Sequence, residues 1–553
     1  MALTLSPVMS SMLLTSGQHQ TRLARWVDAY MESATGIYRR MLARTLAARG
    51  AVLLVGAAVL GAIVVLFAGT RHELAPVEDQ GAVIVIAKAP QYAGVGYTAR
   101  CAEKIESIFR SLPEFDSSFM HIGGPGRGQN QMLGGAILRD WSQRSRSSVE
   151  IQSRIQAAGA GIDGETLTAV QVPPLPGSSG GLPVQMVLRS PEDFPVLFET
   201  AEQLKAAAYK SGLFVYVQND LAFDSPQAHV AIDSVKAREM GVTMQAIAET
   251  LAVLVGENYV NRFNFHDRSY DVIPQVAAGD RMTPEDLGRF HVRAASGALV
   301  PLSTVTRVET RPQANGLTQF GQLNSATLEM LPRPGVSMGE AVAFLRAQPL
   351  PSGTSVDWLS DSRQFVQEGN SLLLSFAFAL VVIFLVLAAQ FESLRDPLVI
   401  LVTVPLAVCG ALVPLWLGYA TLNIYTQIGL VTLIGLISKH GILMVSFANH
   451  IQQHESLTRL QAIERAAAVR MRPVLMTTAA MVAGLVPLVF AEGAGAASRF
   501  SIGIVVVMGM LVGTFFTLFV LPTIYSILAK DHRPASAGAR AAELAAMEVP
   551  HAL

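Results

Sequence analysis

A polytopic α-helical membrane domain interrupted by one large α+β soluble block is the fold class expected of this chain, on three grounds. Of its 553 residues, 51% are hydrophobic and only 15% charged, where a soluble protein carries about a quarter charged residues. Six apolar runs, at about 51–69, 370–390, 397–418, 424–448, 474–491 and 500–529, are long enough to cross a bilayer, and none contains Asp or Glu. Between the first and second runs, residues 70–369 instead alternate strand and helix patterns. A formal net charge of -1 gives no footprint for nucleic acid. The two cysteines, Cys101 and Cys409, are far apart and the second lies in an apolar run, which argues against a disulfide framework or a thiolate metal site. No metal and no cofactor is expected.

The chain opens on a shorter apolar stretch, Met1 to Leu14. It lacks the basic start and small-residue cleavage site of a signal peptide, so residues 1–16 read as the end of a spanning helix whose beginning is absent. Residues 18–49 carry Arg22, Arg25, Arg39, Arg40, Arg44 and Arg49 against Asp28 and Glu32. The connection between the fourth and fifth runs carries Arg459, Arg465, Arg470 and Arg472. Both basic segments fall on one side if six helices alternate, and the positive-inside rule makes that side cytoplasmic. Both are amphipathic, so both are expected to lie along the membrane surface. The block 70–369 then faces outward, and an Ala-rich tail, 531–553, is cytoplasmic.

The soluble block repeats itself. Its first part, 80–175, reads strand 82–88, helix 94–111, strands 115–121 and 132–139, helix 147–159 and strand 165–172. This βαββαβ order is the split unit of ferredoxin-like folds. A second unit starts with strand 184–190, a helix to about 211 and strand 213–219, within 182–220. It resumes within 318–365 as a strand near 320–331, a helix at 338–347 and a strand at 354–359. Between the halves lies an insertion, 226–316, with strands in HVAID, NYVNRF and SYDVIPQV and a helix at 243–255.

One residue stands out in the membrane runs. Lys439 lies in IYTQIGLVTLIGLISKHGILMVSFAN, about ten residues and roughly 15 Å from the nearer end. A lysine at that depth costs roughly 2.5 to 3.5 kcal/mol, and an intramembrane charge is read first as functional. The runs offer it no acid. His440 is about 100° round the helix and is expected to face another helix. Gly429, Gly435 and Gly441 read as close-packing positions, and Pro405, Pro487 and Pro522 as helix bends.

These residues together resemble the resistance-nodulation-division (RND) efflux permeases of the hydrophobe/amphiphile type. PVEDQGAVIVIAKAP (76–90) resembles the exit from the seventh family helix into the porter domain. GRGQNQ (126–131) and LRDW (138–141) resemble the segment after the substrate-facing loop. QFESLRDPLVILVTVPLAVCGAL, IGLISKHGILMVSFAN, AVRMRPVLMTTAAMVAGLVPL and VLPTIY resemble helices eight to twelve in order, and LSPVMSSMLL the end of helix six. The match is collinear over about 1–530. Family proteins are tandem duplications, so the resemblance implies that this chain corresponds to the C-terminal half.

The resemblance implies a proton-driven trimer, not an enzyme, in the inner membrane. A periplasmic adaptor and an outer-membrane channel would complete the pump, and the insertion 226–316 would dock toward that channel. Small amphiphilic substrates would pass through the porter block. By motif matching, Lys439, Arg470 and Thr477 form the proton relay, with Arg472 close enough to be confused with Arg470. The aspartate pair that faces the lysine would belong to a missing N-terminal half. Arg470 and Thr477 are seven residues apart, so they share a helical face. In the porter block, Ile122, Gly124, Arg127 and Gly135 are the candidate substrate-facing loop positions. Multidrug members carry phenylalanines there, and Ile122, Gly124 and Gly135 depart from that pattern. Met120, Met132 and Met186 read as adaptable packing rather than a soft-metal site. Two other readings stay open: an RND-type exporter of metal or lipid, and a non-transporting fragment or scaffold.

Overall fold

The computed structural model describes residues 22–124, 127–176, 181–368 and 371–532, together with Leu5, Val8, Met9 and Met12. The expected helix end at 1–16 and the tail 533–553 lie outside these residues, apart from the four named.

The chain begins with α1 (Arg22–Ala47) and α2 (Arg49–Gly69). The first soluble unit follows as β1 (Ala82–Lys88), α3 (Val95–Arg110), β2 (Phe115–Gly124), β3 (Arg127–Leu138), α4 (Ser148–Gly159) and β4 (Thr166–Gln171). Its sheet is antiparallel in the order β2-β3-β1-β4. In β1 the alternation of AVIVIAK places Val83, Val85 and Ala87 in a core with Ile105, Phe109, Ile151 and Ile155 from the two helices. Ser147 caps α4 by accepting from the Glu150 N–H.

The second unit is β5 (Val184–Ser190), α5 (Phe194–Ser211) and β6 (Phe214–Asn219), resuming at β14 (Leu323–Pro332), α9 (Met338–Arg346) and β15 (Ser355–Leu359). Here β15 pairs with β5, β5 with β14, and β14 with β6, the same order as in the first unit. The insertion leaves through β7 (Ser225–Ile232) and returns through β12 (Thr306–Gln313), paired from Ser225↔Gln313 to Ile232↔Thr306. That ribbon carries α6 (Ser234–Glu239), α7 (Met244–Leu254), the hairpin β8 (Asn261–Phe265) and β9 (Arg268–Val272), the pair β10 (His291–Arg293) and β11 (Leu299–Pro301), and α8 (Leu302–Val305). A short strand β13 (Thr318–Phe320) extends the edge of β14.

The chain returns through α10 (Ser360–Glu368) to α11 (Ser371–Phe391), α12 (Arg395–Leu401), α13 (Thr403–Trp416), α14 (Ile424–Glu455), α15 (Arg459–Val489) and α16 (Ala496–Leu528). Among the described residues six helical spans are long and apolar enough to cross a membrane, α12 and α13 forming one of them. The break between those two precedes Pro405, which has no N–H to return to the Leu401 carbonyl. Helices α13, α14 and α16 form the packed centre. Gly410 and Gly513 admit the facing side chains Val512 and Ala407, and Gly509 admits Leu433.

The second basic segment differs from its expected placement. Residues 459–472 do not lie flat on the membrane as a loop; they are the first half of α15, which runs unbroken through Pro473. Ala462, Ile463, Ala466, Ala467 and Met471 bury that half against α1, α14 and α16. This burial holds the helix together where the sequence shows only a proline beside charges. Helix α1 is fixed to the bundle at two points. Tyr38 Oη donates to the Leu518 carbonyl at 2.6 Å, and Arg472 pairs with Asp28 at 2.5 Å.

Candidate functional site: an intramembrane cation and an extramembrane cleft

Helix α14 is longer than the apolar run suggested, ending at Glu455 rather than near Asn449. Lys439 is therefore about 22 Å from the Ile424 end, near the middle of the helix. Its neighbours Ile437, Ser438, His440 and Gly441 are buried, whereas Lys439 is exposed. It belongs to an uncovered stripe with Ile428, Thr432, Gly435 and Ser446. Among the described residues no carboxylate pairs with Lys439.

The three expected relay residues are not drawn into direct contact. Thr477 faces His440, with Oγ1 at 3.2 Å from Nε2. Its hydroxyl also lies 3.0 Å from the Pro473 and Val474 carbonyls, to which it donates. With that proton engaged, Nε2 of His440 is the donor to Oγ1 and Nδ1 carries the bare lone pair. Nδ1 is buried and has no partner among the described residues. Arg470 stacks on Phe447 of α14, its guanidinium carbon 4.5 Å from the ring centroid, and its Nε is buried without a partner among the described residues. Arg472 points away to Asp28, which separates the two arginines that the sequence left confusable. His440 faces another helix, as expected, and its contact with Thr477 of α15 places a polar pair beside Lys439.

In the soluble block, Ile122, Gly124, Arg127 and Gly135 all lie on the β2–β3 hairpin, with Gly124 opposite Arg127 at its tip. Gly135 is not in a loop. It sits mid-strand between Ile84 and Phe119, and a Cβ there would stand 2.8 Å from the Phe119 ring. The missing side chain makes room for Phe119, which is 46% exposed. An aromatic ring thus lies over the hairpin from the facing strand, where the sequence reading saw only its absence.

A cleft of about 650 Å³ opens between the two soluble units, lined among others by Lys88, Gln91, Glu165, Lys205, Tyr216 and Asn219. No motif marks these residues, because they come from three separate elements and the loops beside them. Both carboxylate oxygens of Glu165 are buried, and among the described residues no N–H or hydroxyl donates to them. Burial pushes its carboxyl up from the usual range, against the pull of the Cys101 thiol and Lys104. Burial likewise pushes the Tyr216 phenol up to about 12.

Residues 1–529 match the AcrB/AcrD/AcrF family. The chain is 42% identical over 542 residues to an uncharacterized transporter of Haemophilus influenzae, covering 96% of this chain and 52% of that protein. It is 29% identical to the multidrug resistance protein MdtF of Escherichia coli K12, covering 95% of this chain and 52% of that protein. To the toluene efflux pump membrane transporter TtgB of Pseudomonas putida it is 30% identical, covering 95% of this chain and 51% of that protein. The chain spans about half the length of the curated relatives it matches. An uncovered lysine in the middle of a membrane helix, a polar pair beside it and a cleft between two like-folded units therefore belong to a member of the AcrB/AcrD/AcrF family of RND permeases, which are multi-pass membrane transporters and not enzymes.

Proposed function

We propose that this chain serves proton-driven efflux of amphiphilic drugs and xenobiotics, as the C-terminal half of an inner-membrane RND permease. The observation that carries the reading is Lys439. It stands near the middle of α14, on a face that the rest of the described chain leaves open. A helix bearing an aspartate pair, supplied by an N-terminal half, would cover that stripe. The lysine would hold the carboxylates ionised, and their protonation would loosen its grip and let the helices repack. Each proton moving inward releases about 2.3 kcal/mol per 100 mV. Thr477 and Arg470 of α15, with His440 of α14, would complete the relay.

The matching strand orders support reading both soluble units as ferredoxin-like porter units, with the insertion as a docking subdomain on the periplasmic side. Ile122, Gly124, Arg127 and Gly135 would carry substrate along the β2–β3 hairpin, with Phe119 supplying apolar area. A homotrimer working with a periplasmic adaptor and an outer-membrane channel is the assembly this reading implies.

The test is dye efflux from cells producing this chain together with an N-terminal half that carries the aspartate pair. Protonophore-sensitive efflux is expected with both halves and is lost in K439A. Efflux by this chain alone, abolished by a protonophore, would overturn the dependence on a second half.

A further inference from the structure

The segment that leaves α2, residues 70–81, crosses from the membrane bundle to the first soluble unit. Along nine of its residues it holds the N-terminal ends of two membrane helices and two soluble ones. The first unpaired N–H groups of a helix need acceptors from outside the helix, and this segment supplies them repeatedly.

On the membrane side, the Leu422 N–H donates to the Arg71 carbonyl at 2.8 Å and the Ile424 N–H to the Leu74 carbonyl at 3.2 Å. The Glu73 N–H returns a bond to the Leu422 carbonyl at 3.0 Å, and Thr421 Oγ1 donates to Glu73 Oε2 at 2.8 Å. These bonds fasten the start of α14, the helix that carries Lys439. Four residues on, Glu78 takes hold of α16. Its Oε1 accepts from the Ser498 N–H at 2.6 Å and from the Ser498 hydroxyl, and its Oε2 accepts from the Ala497 N–H at 3.3 Å. Glu78 is only 5% exposed, so these bonds are sheltered from water.

On the soluble side, the Gly339 N–H at the start of α9 donates to the His72 carbonyl at 3.0 Å. Asp79 reaches the start of α4, accepting from the Ser148 N–H at 2.8 Å, and is held in turn by Arg144 at 2.6 Å and by the Gly81 N–H at 3.1 Å. The Trp141 indole donates to the Asp79 carbonyl at 3.2 Å and lies against Gly81 and Gly493, in the turn before α16.

We infer that residues 71–79 form a mechanical joint tying the membrane helices α14 and α16 to both soluble units, with the adjacent carboxylates of Glu78 and Asp79 as its membrane-side and soluble-side clamps. The two clamps are consecutive residues, so a shift of the α16 start displaces the acceptor of the α4 start. The inference rests on the transport reading only for what the joint is used for.

The joint is tested by hydrogen exchange of the full chain in lipid nanodiscs, which needs no transport. E78Q removes a charged acceptor and turns an amide toward the N–H groups of α16. Exchange at Ala497 and Ser498 is expected to rise about tenfold or more. Exchange at Ser148 and Gly339, in the soluble units, is expected to rise at least about threefold, the low end of coupling within one network. D79N is expected to send the effect the other way, from Ser148 to Ala497 and Ser498. If E78Q does not fold, S498A keeps both backbone bonds and serves instead, with a smaller rise of the same spread. A rise confined to residues 497 and 498 makes Glu78 a local cap and overturns the joint. Loss of the Lys439-dependent efflux would leave this result standing, and a confined rise would leave the efflux reading standing.

Discussion

Gly513 gives the sharpest test of how the membrane bundle is packed. A Cβ at this position would stand 2.7 Å from the Ala407 Cβ, 3.1 Å from the Ala407 Cα and 2.9 Å from the Ile437 Cδ1. Carbon atoms rest at roughly 3.5–4.0 Å, so G513A forces α13 and α16 apart by about 1 Å. The Ile437 methyl can rotate aside, but the Ala407 Cβ is fixed to its backbone. Overpacking of this kind costs about 1–3 kcal/mol, set against a gain of about 1 kcal/mol for replacing glycine in a helix. A net loss of up to about 2 kcal/mol is expected. G509A is the contrast, because the atoms nearest its new methyl are the Cδ1, Cδ2 and Cγ of Leu433, a side chain that can rotate where the Ala407 Cβ cannot; it is expected to cost less than G513A. The repair is A407G, which removes the obstructing atom. Alone it costs about 1 kcal/mol in helix propensity, plus about 0.8 kcal/mol for the lost methyl. In combination with G513A it is expected to show a favourable coupling of at least about 1 kcal/mol. The assay is reversible unfolding in mixed micelles, followed by circular dichroism for the three variants and the double variant. Additivity within about 0.5 kcal/mol, or G509A worse than G513A, would refute the argument.

Two further outcomes follow from single contacts. T477V leaves the buried His440 ring with neither nitrogen partnered and is expected to cost about 1–3 kcal/mol, whereas T477V/H440F removes both partners and recovers most of it; the same unfolding assay compares them. In the first soluble unit, Arg146 grips Glu114 through two bonds of 2.6 Å, and those bonds hold the Glu114 carboxyl below the usual range despite its burial. A depressed folded pKa gives stability that is present above the unfolded value of about 4.3 and is lost as pH falls through the lower folded value. The melting temperature of the wild type is therefore expected to exceed that of E114Q at neutral pH and to converge on it in acid; a gap that persists unchanged below the folded value would count against the ion pair.

Much of the architecture could be read in advance where period and punctuation agreed. Strand AVIVIAK was placed at 82–88 and is found there, because its alternation faces a single core. The helix read at 338–347 ends one residue sooner, and its start is fixed by the Ser337–Glu340 capping box. The failures came where tertiary packing overrides local sequence. Arg459 to Arg472 looked like a surface segment, yet the alanines between the charges bury it inside the bundle. Strand β12 went unread because its pairing with β7 is set by a partner some 80 residues away. The cation Lys439 was legible as an expense in an apolar run. Its exposure, the burial of His440 and the stacking of Arg470 were not, since helical phase against neighbours is not written in one helix alone.

The divided second unit sets a schedule for the making of this protein. Strand β14 lies between β5 and β6 in the finished sheet, but it begins at Leu323, about 100 residues after β6 ends at Asn219. At roughly 5–20 residues per second of synthesis, that is a wait of about 5–20 s. Throughout it, β5 and β6 have lost their shared neighbour, and edges rich in Val, Leu and Phe stand open to other nascent chains. The insertion that divides this unit thus also calls for a holdase on it during biogenesis.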